Sequence, residues 1–234
     1  MTGLIGAMDS EVDILISKLE KKEEIKRGST VFYKGILCGK EVVIARCGIG
    51  KVCAAVCAQT MIDLFGVDVL INTGVAGGLA HGIRVGDVVI SDALVQHDFD
   101  LSLFGYAKGY IPCSGQNDKS VPTRFLPDKE TVRKLKNAAD KVGVRCIGGT
   151  IVSGDVFVCD SALKNDLISR FGADAAEMEG AAIAQAAFLS GVPFAVVRAI
   201  SDSADEEASV SFTEFEIKAA KVSSEIVLEY LRTA

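Results

Sequence analysis

Apolar runs of strand length alternate with helical segments along all 234 residues, and no other feature constrains the fold as much. The runs "VDVLINTG" (67–74), "VGDVVISDALV" (85–95) and "PFAVVRAIS" (193–201) are apolar at nearly every position, which predicts strands covered on both faces. Between such runs the period changes to that of a helix. In "DSEVDILISKLE" (9–20) Val12, Leu15, Ile16 and Leu19 recur at i, i+3, i+4 and i+7, and Asp9 or Ser10 can cap the segment. Further helices are predicted over 51–65, 126–142, 161–171, 181–190 and 211–231, the last with Ser211 and Glu214 as a capping box. The expected fold is α/β: one domain, 1–234, with a central mixed, largely parallel β-sheet flanked by helices. The one long irregular stretch is 97–125, a length that in a compact domain points to function or an interface.

Composition excludes several partners. Net charge is −6 and the basic residues are scattered, so the electrostatic footprint of a nucleic-acid binder is missing. Seven cysteines form no CxxC pair and several lie in apolar runs such as "VCAAVCA", which fits a reducing compartment and a cytoplasmic protein. His81 and His97 have no ligand spacing with a cysteine, so no metal is expected. The opening "MTGLIGAMDSEVD" meets acid early and does not read as a signal peptide, and "SGVP" breaks the uncharged 180–197 stretch before it could span a membrane.

In open α/β sheets, ligands bind beyond the carboxyl ends of the strands. Polar residues follow the apolar runs at Met8–Glu11, at 48–51, 72–78, 153–157, 177–179 and 198–202, and six such clusters predict one shared rim. Each has two readings. Glu11 lies at the edge of the apolar stripe, but a first-turn acid is also favoured by the helix dipole. "NTGVAGG" is a phosphate cradle or a tight turn, and it matches no established glycine fingerprint. "EMEG" puts Glu177 and Glu179 on one strand face; one of the pair suits an ion pair with Arg198, and the other could accept bonds from a diol. Asp202, just past "AVVRAI", is a general acid raised by partial burial or a turn aspartate in "SDSAD".

Taken together, "IGAMDSEV" (5–12), "GIGKV" (48–52), "NTGVAGGL" (72–79), "SGDVF" (153–157), "EMEGAA" (177–182) and "VRAISD" (197–202) carry a resemblance nearly from end to end. The chain resembles the 5'-methylthioadenosine/S-adenosylhomocysteine nucleosidases of the nucleoside phosphorylase superfamily. The resemblance implies a nucleoside phosphorylase-like fold, no cofactor, and hydrolysis of the N-glycosidic bond of an adenine nucleoside carrying a 5'-thio substituent. It implies that Asp202 protonates N7 of the leaving base, that Glu11 orients the attacking water and that Glu179 holds the ribose hydroxyls beside Met178. Phe157 is implied to stack on adenine and the Val158 backbone to read its edge, with Arg198 and Ser201 supporting the aspartate. Met8, Ile49, Val75, Ala76, Gly77, Glu177 and Phe212 are further implied pocket positions. A homodimer is implied as well, in which Leu101, Phe104, Tyr106 and Pro112 of the neighbouring subunit close the thioalkyl pocket.

Val75 departs from the many relatives that have serine there, and 110–125 matches no familiar stretch. A purine nucleoside phosphorylase is the nearest rival. It is disfavoured because phosphate needs cations, whereas the turn in question reads Asn72, Thr73, Gly74, Val75 and Glu11 adds a carboxylate. A futalosine-type nucleosidase would keep the same machinery. A non-catalytic nucleoside binder is expected to lack Glu11 or Asp202.

Overall fold

A strand that is apolar on both faces needs cover on each side, and the register shows how this chain supplies it. In β1 (Thr2–Gly6), Leu4 packs with Ile44, Leu135 and Val227 on one face of the sheet. Its neighbour Ile5 packs with Val43, Met61 and Ile183 on the other, as the two-residue period of a strand requires. The computed structural model describes residues 1–233, apart from the side chain of Cys113. The other strands are β2 (Glu20–Arg27), β3 (Thr30–Leu37), β4 (Lys40–Arg46), β5 (Val69–Gly78), β6 (Val88–Gln96), β7 (Cys146–Ser153), β8 (Ala175–Glu177) and β9 (Phe194–Asp202). One face carries α2 (Lys51–Phe65) and α5 (Gly180–Ser190), and the other carries α1 (Asp9–Ser17), α3 (Lys129–Val142) and α6 (Ala208–Thr233). The remaining helix, α4 (Ser161–Phe171), covers a smaller cluster around Val152 and Leu167.

The sheet order is β2-β3-β4-β1-β5-β8-β7-β6-β9, and β9 pairs back onto β5, so the last five strands close a ring. Two parallel blocks, β4-β1-β5-β9 and β6-β7-β8, run in opposite directions. They overlap tip to tip where Gly77 of β5 faces Ala176 of β8. The carboxyl ends of both blocks therefore meet at one place, which is where the polar clusters gather.

Four local expectations are corrected. The first helix stops at Ser17, and residues 20–27 form β2, an edge strand paired only with β3. "EKKEEIKR" has almost no apolar period to read, and its charges protect the edge instead. The cap of α1 is Met8, not Asp9 or Ser10, and the Ser10 hydroxyl donates to Glu216 of α6. "NTGVAGG" is neither cradle nor tight turn, because β5 runs on to Gly78. Finally, α6 starts at Ala208, which places Ser211 inside the helix, its N–H on the Glu207 carbonyl, so no capping box forms there. The irregular 97–125 stretch holds two 3₁₀ turns, Ser102–Phe104 and Pro112–Ser114; Tyr110, Ile111 and Phe125 anchor its second half by burial.

Candidate active site

Arg198 sits in β9 with 1% of its surface exposed, and a guanidinium buried that deeply must be paired. Its Nη2 donates to the Glu177 carboxylate and to the Asn72 amide oxygen, and lies 3.5 Å from Glu179 Oε2. Its Nη1 donates to the Val75 carbonyl at 3.2 Å and stands 3.6 Å from Glu11 Oε1. One cation thus faces three buried carboxylates. Glu177 is saturated by protein groups: besides Arg198 it accepts from Ser153, from the Glu179 N–H at 3.0 Å and from the Gly180 N–H at 2.8 Å. That engagement makes Glu177 a partner of Arg198, and it also lines the cavity.

Glu179 is not beside Glu177 on a strand face. β8 ends at Glu177, and Glu179 is the N-cap of α5. Its Oε1 accepts the Gly50 N–H at 2.9 Å. Burial pushes its carboxyl above the usual carboxylate range, against the pull of Arg198, and the neighbouring Glu177 adds to the rise.

The Glu11 carboxylate turns back over its own helix start. Oε2 accepts the N–H of Ala7 at 2.6 Å and of Met8 at 3.1 Å, and Oε1 accepts that of Val75 at 3.0 Å. Burial raises its pKa, while Arg198 and these three donors hold it down. A Cβ at position 74 would collide with Glu11 and Arg198, so only glycine lets β5 pass this close. Three residues further along β5, Gly77 stands in the same relation to Asp202.

Asp202 ends β9. Its Oδ1 accepts the Ala204 N–H at 2.8 Å, closing an Asx turn, and its Oδ2 accepts the Ser201 hydroxyl at 2.9 Å. The turn reading of "SDSAD" is thus seen in the structure. Burial raises the Asp202 pKa against these two bonds. Ser201 supports the aspartate as expected, but Arg198 does not reach it and binds the glutamates instead.

These groups open on one cavity of about 550 Å³, lined from α1 by Met8 and Glu11, from β5 by Val75, Ala76 and Gly77, and from β9 by Arg198, Ser201 and Asp202. Ile49, Phe157, Met178 and Phe212 complete its apolar wall, with the rings of Phe157 and Phe212 edge-on at 5.7 Å. Val158 lines a small side recess next to Phe157 and Asp202. A family model described as the phosphorylase superfamily matches residues 2–232. The 5'-methylthioadenosine/S-adenosylhomocysteine nucleosidase of Actinobacillus succinogenes is 44% identical over 98% of this chain and 97% of its own. The chain belongs to this superfamily, in its methylthioadenosine/adenosylhomocysteine nucleosidase family.

Solved structures of the superfamily agree on the architecture. The nucleosidase from Neisseria meningitidis, in complex with methylthio-immucillin-A, superposes with a TM-score of 0.93 at 41% identity, covering 100% of this chain and 99% of that one. The futalosine hydrolase of Helicobacter pylori superposes with a TM-score of 0.92 at 36% identity, covering 100% and 97%. Of the positions implied by resemblance to this family, those assigned to the chain's own site all line the cavity or its recess. Leu101, Phe104, Tyr106 and Pro112 are absent from its described lining, and Phe104 is 76% exposed. The sequence reading missed Ser209, because the start of α6 was placed three residues late, and Thr213, which lay inside the predicted helix with nothing to single it out; both reach the cavity from the first turns of α6. Asn72 was also missed as a ligand of Arg198; a polar residue inside an apolar strand was the available signal.

Proposed function

We propose that this site hydrolyses the N-glycosidic bond of 5'-methylthioadenosine and S-adenosylhomocysteine, releasing adenine and the corresponding thioribose. The observation that carries this reading is a pair of buried carboxyls, Glu11 in the first turn of α1 and Asp202 at the end of β9, lining one cavity.

The chemistry then divides as follows. Asp202, whose pKa burial raises, gives its proton to N7 as the bond from C1' to N9 breaks and its electron pair passes to the base. The ribosyl centre becomes oxocarbenium-like. Glu11, ionised and held by three backbone donors, orients a water onto C1' and takes its proton. Phe157 stacks on the adenine and the Val158 backbone reads its edge, while Glu179 accepts the ribose hydroxyls beside Met178. Arg198, the one cation in the cavity's described lining, is already shared by three carboxyl groups, which disfavours a phosphate dianion and leaves water as the nucleophile. Turnover is therefore expected without phosphate or divalent metal. Product analysis checks it: accumulation of a ribose 1-phosphate, or loss of activity on chelation, would refute hydrolysis.

We also infer a homodimer whose Leu101, Phe104, Tyr106 and Pro112 close the partner's thioalkyl pocket. Its support is the exposure of the large apolar side chains Leu103, Phe104, Val52 and Val56. Sedimentation should give a dimer, and Phe104→Asp should weaken both association and kcat/KM. A stable monomer with full activity would overturn this. The six described unpaired cysteines support a reducing, cytoplasmic location.

A further inference from the structure

Helix α2 starts at a glycine, so its first N–H groups have no side-chain cap of their own. Carboxylates from elsewhere in the chain take them. The Gly50 N–H donates to Glu179, and the Lys51 N–H donates to Asp155 Oδ1 at 2.8 Å. The Lys51 side chain reaches the opposite way, with Nζ 2.6 Å from Asp98 Oδ1 and 3.4 Å from Gln96 Oε1. Asp98 closes the circuit, because its Oδ2 accepts the Asp155 N–H at 2.9 Å. The loop Asp98–Lys51–Asp155–Asp98 laces together the segments that follow β4, β6 and β7. Lys51 and Asp98 are 17% and 29% exposed, so this ion pair is shielded more than a surface pair. None of the three residues is among those lining the cavity.

We propose that Asp98 and Lys51 are positioning residues for Glu179: their ion pair sets where the start of α2 lies, and so where the Gly50 N–H holds Glu179 Oε1. With Oε1 held, Oε2 is the oxygen turned to the ribose diol, with Arg198 Nη2 3.5 Å away. Loosening the circuit lets the carboxylate swing, and a small misplacement of a binding group is costly. This inference rests on the reading of Glu179 as the acceptor for the ribose hydroxyls.

The test is adenine release from methylthioadenosine and from its 2',3'-dideoxy analogue by the wild type, D98N, K51M, K51R and E179Q, with melting temperatures as a folding control. D98N and K51M should raise KM for the ribonucleoside about tenfold, the scale of one weakened charge-assisted hydrogen bond. They should leave its kcat and both constants for the dideoxy analogue near wild type, and K51R should restore KM. E179Q should show the same discrimination, more strongly. If D98N and K51M penalise both substrates alike, or neither, while E179Q discriminates, the positioning role is overturned and the ribose reading stands. If E179Q treats both substrates alike, the ribose reading fails and takes the inference with it.

Discussion

Asp202→Asn is expected to lower kcat by about 10²- to 10⁴-fold, the usual contribution of a general acid, with KM little changed. The amide is the same size; its oxygen can still accept the Ala204 N–H and its NH2 can donate to the Ser201 hydroxyl oxygen, so the turn that holds it should survive. It cannot deliver a proton, and adenine would have to leave as an anion. The pH profile gives a second readout. Burial raises the Asp202 pKa, so the wild type should lose activity as pH rises and the acid ionises. Burial also raises that of Glu11, which must be ionised to direct the water, so activity should fall as pH drops through its titration. The asparagine variant should lose the alkaline limb and keep the acidic one. A variant that retains more than about a tenth of the wild-type kcat would show Asp202 to be a turn residue only.

Arg198→Met should cost about 3 to 5 kcal/mol of stability, because it leaves Glu11, Glu177 and Glu179 buried together without their cation. For a chain of this size, that is a drop of roughly 10 °C in melting temperature. The loss should depend on pH in a set direction. Burial already raises the pKa of Glu11 and of Glu179, with Arg198 opposing it in both. Removing the arginine lets burial act alone and raises them further. A carboxyl whose folded pKa lies above its unfolded value favours folding while it is protonated, and that contribution is lost as pH rises through the folded pKa. The variant should therefore be closest to wild type near pH 5 and furthest from it at pH 8. Thermal melts across that range check the sign; a deficit that grows towards low pH would mean that the glutamates are not held by Arg198. Glu177→Gln, which removes one of the three charges, should recover part of the loss in the Arg198→Met background.

Local pattern made most of the elements legible. The apolar runs at 67–74 and 193–201 became β5 and β9, and α2, α3, α4 and α5 ended at their glycines, because side-chain period and turn chemistry are local properties. Where the period was silent the reading failed. "EKKEEIKR" is a strand only because β3 offers it backbone partners, and α6 begins at Ala208 although Ser211 and Glu214 look like a cap.

The site divides in the same way. That polar residues would follow the strands, and that the acids among them would matter, could be read from residues 8–11, 177–179 and 198–202 alone. Which acid does what could not. Glu177 and Glu179 are two residues apart, yet one is spent on Arg198, Ser153 and the start of α5 while the other keeps an oxygen towards the cavity. Arg198 was expected both to pair with one of the two glutamates and to serve Asp202, four residues away in the same strand; it pairs with Glu177 and Asn72 from other strands and does not reach Asp202. The sequence by itself determined the element types and the residue types available at the strand ends, since those follow from period and composition. The tertiary structure alone decided the pairings and the pKa directions. A charge buried among strands far apart in the chain takes whichever partner the head-to-head overlap of β5 and β8 brings within reach, and both its environment and its degree of burial are sums over contacts that no local window contains.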